Sequence, residues 1–267
     1  MNYAFGLGSL LADQLGVNLN NHTTYNRLLD LTAKGSSYVC LIDPDKTEPS
    51  QAAETAYKYC KNGADIIFVG GSLMMKDNFD LSLRKIKSAV DIPVIIFPGL
   101  FNFVSKHCDA LLLLSMISSR NPQLLISEQV QAAPAICNLN VEPIGTGYIL
   151  VDGGNNTSVQ YMSQSLPVPC DKDDIALATA LAGQYLGMKM IYLEAGSGAR
   201  VPVSNSMIDK VKKHLEIPLI VGGGIRTPET AREKAEAGAD FVVTGTVLEK
   251  NADPGLIRAF ADAVHGA

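Results

Sequence analysis

Eight short apolar runs punctuate the chain, and none of them alternates strictly with polar residues. They are YVCLID (38–43), ADIIFVG (64–70), PVIIFPG (93–99), ALLLLSM (110–116), EPIGTGYILVD (142–152), KMIYLE (189–194), PLIVGG (218–223) and DFVVTG (240–245). A strand with one wet face alternates apolar and polar positions. A continuous run fits a strand covered on both faces, as in a parallel sheet. Between the runs the pattern changes to that of amphipathic helices, in SQAAETAYKYCKNG (50–63), DLSLRKIKSAVD (80–91), SNSMIDKVKKHLE (204–216) and PETAREKAEAG (228–238), with a further helix expected over 173–187. Pro228 opens the last of the four and Gly238 closes it, the usual helix punctuation.

Eight strands alternating with helices predict a closed (β/α)8 barrel, the TIM-barrel architecture, rather than an open doubly wound sheet. The reading is one domain over residues 1–267, with residues 1–37 as an N-terminal helical extension capping the barrel bottom. One interval is too short. LFNFVSKHCD (100–109) is all that separates the third run from the fourth, whereas a parallel crossover with a helix takes about a dozen residues or more. The expectation is a barrel in which this crossover is a loop or a vestigial helix. The wall would be thin there, with Phe101, Phe103 and Val104 either lining an apolar surface or plugging the gap. Residues 153–172 carry no clear period and are expected to be an exposed loop.

Composition narrows the function. Of 267 residues, 47% are hydrophobic and 18% charged, with 22 basic against 27 acidic side chains and a net charge of −5. No basic block marks a nucleic-acid face, so an anionic ligand must be attracted locally. The five cysteines (Cys40, Cys60, Cys108, Cys137, Cys170) are scattered and read as reduced thiols of a cytoplasmic protein. The four histidines have no zinc-ligand spacing. The N-terminus lacks a basic n-region and no run is long enough to span a bilayer, which still leaves room for peripheral membrane contact.

In such barrels the reactive end lies at the strand C-termini, and the loops after strands seven and eight commonly hold phosphate. Glycines gather at several of these ends, in Gly70-Gly71-Ser72, Gly196-Ser197-Gly198, Gly222-Gly223-Gly224 and Gly245-Thr246. Glycine lets the backbone approach an anion and turn its N–H groups toward it. A single cluster is explained by a tight turn, but three consecutive strand ends point to a phosphomonoester. Glu194 stands just before one of them. It is either a base that takes a hydroxyl proton, or a helix cap, or half of a salt bridge with Arg200 or Arg226. Asp43 and Ser72 end neighbouring strands, and a carboxylate with a hydroxyl suits Mg²⁺. Asp43 could instead cap the first helix near Pro44, which is the expectation for Asp45.

Taken in order, LIDPDK (41–46), FVGGS (68–72), GYILVDGGNNTSV (147–159), YLEAGSGA (192–199), VGGGIR (221–226) and VTGT (243–246) resemble the geranylgeranylglyceryl phosphate synthases and the related heptaprenylglyceryl phosphate synthases. Cys40-Leu41, where one branch has a lysine, suggests the branch with archaeal and some bacterial members. The resemblance implies a barrel lacking its third helix and a prenyltransferase of ether phospholipid biosynthesis. Such an enzyme joins sn-glycerol 1-phosphate to a prenyl diphosphate, geranylgeranyl diphosphate above all, with Mg²⁺ and release of diphosphate. It implies glycerol phosphate on Tyr192, Leu193, Glu194, Ala195, Gly196, Ser197, Gly198, Gly223, Gly224, Gly245 and Thr246, metal contacts at Asp43 and Ser72, and Glu194 as base. The family's dimers and larger assemblies imply a homo-oligomer. Without the resemblance, the residues also fit another phosphate-binding barrel enzyme, such as a sugar-phosphate isomerase, or a non-catalytic phosphate binder.

Overall fold

The apolar runs become the staves of a barrel. The computed structural model describes residues 23–71, 73–99, 103–250 and 253–267. Eight parallel strands, β1 (Ser37–Ile42), β2 (Ile66–Val69), β3 (Val94–Ile96), β4 (Ala110–Ser115), β5 (Glu142–Leu150), β6 (Met190–Glu194), β7 (Leu219–Gly222) and β8 (Phe241–Thr244), pair in sequence order. The barrel closes where β8 pairs with β1. Around it lie α1 (Thr23–Thr32), α2 (Pro49–Lys61), α3 (Phe79–Ala89), α4 (Glu128–Leu139), α5 (Ser158–Ser163), α6 (Asp173–Tyr185), α7 (Asn205–Lys212), α8 (Pro228–Glu236), α9 (Thr246–Lys250) and α10 (Pro254–His265).

Strand side chains divide between two cores because successive residues point to opposite faces. On β6, Met190 and Tyr192 join the interior cluster with Phe68, Ile95 and Phe241. Ile191 and Leu193 instead pack outward with helix residues such as Ala180 and Val211. Both faces are buried, so the runs are continuous rather than alternating. Helix starts are set locally. Ser204, Thr227 and Asp253 each accept a first-turn N–H, from Met207, Thr230 and Leu256, and proline follows the latter two caps.

The described part of the N-terminal extension closes the barrel bottom. Leu28 is buried in the interior cluster. The N–H groups of Thr24 and Tyr25 donate to the Glu142 carboxylate at 2.9 and 3.1 Å, and the Tyr25 hydroxyl donates to the Lys189 carbonyl at 3.0 Å. All three contacts seat α1 against strand beginnings, far from the reactive end.

The wall is thin where the short interval predicted it. β3 has three residues and matches β4 at two positions, Ile95 with Ala110 and Ile96 with Leu111. Among the described residues of 97–109 there is no helix. The segment 153–172 departs from the exposed loop expected of it. It contains α5 and a bridge between Val151 and Val168, and it buries Thr157, Ser163 and Ser165. Small polar side chains do this burying, so no apolar period announces it.

Candidate active site

Glu194 is the last residue of β6 and follows Tyr192 on the interior face. It is 7% exposed. The Gly196 N–H donates to its Oε1 at 2.7 Å, and the Tyr192 hydroxyl also bonds the carboxylate. Burial outweighs both bonds and pushes the carboxyl up to about 7. The salt bridge weighed from sequence is not formed. Arg226 instead donates to the carbonyls of Ala199 and Arg200, tying the loop after β7 to the loop after β6. A carboxyl held near neutrality by burial, without a cation on it, is suited to accept a proton.

The glycines after β7 are a condition of this arrangement. Gly223 has φ +83°, and a Cβ there would lie 2.4 Å from Glu194 Oε1 and 2.7 Å from the Gly196 nitrogen. The backbone of the β7 loop therefore passes against the carboxylate. Ser197, Gly198, Gly223, Gly224, Gly245 and Thr246 come together on one side of the mouth, and the Ser197 and Thr246 hydroxyls are 3.0 Å apart. Among the described residues, the N–H groups of Gly223, Gly224, Gly245 and Thr246 have no protein acceptor. Convergent free N–H groups make an anion cradle. Leu193 and Ala195 do not face it. Both side chains belong to the outer core, so of this segment only Tyr192, Glu194, Ser197 and Gly198 line the mouth.

Asp43 follows β1 across the mouth. Its Oδ1 accepts the Asp45 N–H at 3.1 Å, and its Oδ2 lies 3.3 Å from Lys46 Nζ. Asp45 does not cap the first helix as expected. Its Oδ1 accepts the N–H groups of Met75 and Lys76 at 2.9 and 2.7 Å, because the loop after β2 folds back over it. Ser72 lies outside the described residues. No group of three or more His, Cys, Asp or Glu suited to a metal exists among the described residues. One carboxylate on a cavity wall fits Mg²⁺, which keeps its waters and gathers substrate phosphates rather than needing an all-protein cage.

The mouth and an apolar extension form one continuous cavity of about 880 Å³. Tyr148, Tyr192, Leu111, Leu113 and Ala132 line its apolar part. Leu111 and Leu113 belong to the outer face of β4, which a third helix would have covered. Phe103, tilted on Phe79 at 5.3 Å, and Val104 line the same space; Phe101 lies outside the described residues. Sequence reasoning missed Tyr148, whose ring stands 5.5 Å from Tyr192 at matched register on β5. It also missed Lys46 beside Asp43. The i, i+3 spacing of Asp43 and Lys46 was the one available signal.

The chain is similar to known proteins of one family over nearly its whole length. Residues 30–264 match the model of the PcrB family. The chain is 49% identical over 244 residues to a geranylgeranylglyceryl phosphate synthase of Chitinophaga pinensis, covering 91% of this chain and 96% of the relative. It is 41% identical over 241 residues to the enzyme of that name from Methanosphaera stadtmanae, covering 90% and 98%. A crystal structure of (S)-3-O-geranylgeranylglyceryl phosphate synthase from Thermoplasma acidophilum, in complex with its substrate sn-glycerol-1-phosphate, superposes with a TM-score of 0.87. It is 35% identical, over 91% of this chain and 98% of that one.

Proposed function

The chain belongs to the PcrB family, and from that premise we propose that it is a geranylgeranylglyceryl phosphate synthase, joining a prenyl group to sn-glycerol 1-phosphate in ether phospholipid synthesis. The observation that carries the mechanism is the buried Glu194 carboxylate, set between an N–H cradle and an apolar cavity. The phosphate rests on the N–H groups of Gly223, Gly224, Gly245 and Thr246, with Ser197 and Gly198 beside them. The glycerol backbone then extends toward Glu194. A glycerol hydroxyl oxygen forms its bond to C1 of the prenyl diphosphate, and its proton moves to Glu194. The bond from C1 to the diphosphate oxygen breaks, and its electron pair leaves with diphosphate. Holding both substrates in one mouth supplies much of the rate through orientation.

Asp43, with Ser72, would hold Mg²⁺, which when bound supplies positive charge to the departing diphosphate. The prenyl tail lies in the cavity opened by the missing helix, against Leu111, Leu113 and Phe103. Apolar burial there is worth about 25 cal/mol per Å², a driving force that a sugar-phosphate isomerase does not need. A binder of phosphate alone needs no carboxylate poised near neutrality. Association into a homodimer or larger assembly belongs to the same reading. Among the described residues no helix is long and apolar enough to cross a membrane.

The test is incubation with labelled sn-glycerol 1-phosphate, geranylgeranyl diphosphate and Mg²⁺. The reading expects an organic-extractable product and stoichiometric diphosphate. Glycerol phosphate binding without product from any prenyl donor would leave the cradle and remove the transfer.

A further inference from the structure

Among the described residues, two cations line the cavity mouth, Lys46 and Arg226. Arg226 is committed to the carbonyls of Ala199 and Arg200. Lys46 is held differently. Its Nζ lies 2.9 Å from each carboxylate oxygen of Glu249 and 3.3 Å from Asp43 Oδ2, while its side chain stays 49% exposed. An ammonium group has three donors and no acceptor. Two carboxylates fix its position, and the half-exposed side chain lines the cavity.

The opposing charges make this a functional arrangement. Asp43 and Glu249 both present carboxylates on the wall where a diphosphate would sit if Asp43 carries the metal. Without Lys46, a diphosphate at this wall would face two carboxylates and no side-chain cation of its own. Glu249 is also tied to the other substrate's site, since its N–H donates to the Gly245 carbonyl at 3.2 Å. It thus lies in the first turn of α9, the turn that starts on the cradle residue Thr246.

We infer that Lys46 is the protein's own diphosphate-binding residue, and that Glu249 positions it from the same turn that carries the glycerol phosphate cradle. The inference rests on the prenyl-transfer reading and names a contact that reading leaves open. The Lys46–Glu249 pair joins the loops after β1 and β8, 203 residues apart in sequence. It thereby sets the spacing between the two substrates' phosphates.

The test is calorimetric binding of inorganic pyrophosphate with Mg²⁺, and separately of sn-glycerol 1-phosphate, to wild type, Lys46→Met, Lys46→Arg and Glu249→Gln. A charge-assisted bond predicts pyrophosphate affinity about tenfold or more lower in Lys46→Met. Lys46→Arg should restore part of it, Glu249→Gln should show a smaller loss, and glycerol phosphate affinity should be unchanged in Lys46→Met. Equal pyrophosphate affinity in Lys46→Met and wild type overturns the inference, and so does an equal loss of both ligands. Wild-type product formation is measured alongside. A wild type that turns over prenyl donor while Lys46→Met binds pyrophosphate normally removes only this contact. A wild type that forms no product removes the transfer reading itself.

Discussion

Replacing Glu194 with glutamine should stabilise the protein, and the pH at which it does so is fixed by the site. Burial raises the carboxyl from an ordinary 4.5 to about 7. In the unfolded chain the group loses its proton near 4.5, whereas in the folded chain it keeps it to about 7. Between those values the native state binds more protons, so stability falls as pH rises through the window. At 1.36 kcal/mol per unit, the full penalty above pH 8 is about 3 kcal/mol. Glutamine keeps an acceptor for the Gly196 N–H and offers a donor to the Tyr192 oxygen, yet has no charge to desolvate. Glu194→Gln should therefore match wild type near pH 4.5 and exceed it by about 3 kcal/mol near pH 8.5, which is several degrees in Tm for a chain of this size. Thermal unfolding followed by circular dichroism across that range measures the difference. A difference that stays constant with pH would refute the reasoning, because it would mean that the carboxyl titrates alike in the folded and unfolded chain.

Three more outcomes follow from the same geometry. Tyr192→Phe removes a hydroxyl that lowers the Glu194 carboxyl, so the acid limb of the pH–rate profile should move to higher pH; an unmoved limb would show the hydroxyl is not coupled to the base. Gly223→Ala places a Cβ 2.4 Å from Glu194 Oε1 at φ +83°, and kcat/KM for glycerol phosphate should fall on the order of 100-fold; an unchanged value takes Gly223 out of the cradle. Ala132→Phe fills part of the tail cavity from α4, and kcat/KM for a twenty-carbon donor should drop roughly tenfold relative to a ten-carbon one; equal effects on both would place the tail elsewhere.

How much of this was legible depends on whether the information is local. β1 to β8 could be read because strands covered on both faces have continuous apolar runs. The absent third helix could be read because 100–109 is too short to hold one. The cradle announced itself through glycines that turns alone do not explain at three successive strand ends. Alternation along β6 could also have turned Leu193 and Ala195 away from the mouth, had it been carried past Tyr192. Other features exist only once the barrel closes. Tyr148 meets Tyr192 through strand register. Asp45 finds its partners 30 residues on, in the loop after β2, and so is lost to the helix start nearby. The buried α5 segment uses Thr157, Ser163 and Ser165, residue types whose composition reads as a loop.

The most direct test of the central claim is single-turnover prenyl transfer at saturating substrates by wild type and Glu194→Gln, with glycerol phosphate affinity measured on the same samples. The account predicts unchanged affinity and a rate lower by about 10² to 10⁴, the usual contribution of a positioned base. Transfer by Glu194→Gln at the wild-type rate would contradict it and move the proton acceptor away from the end of β6.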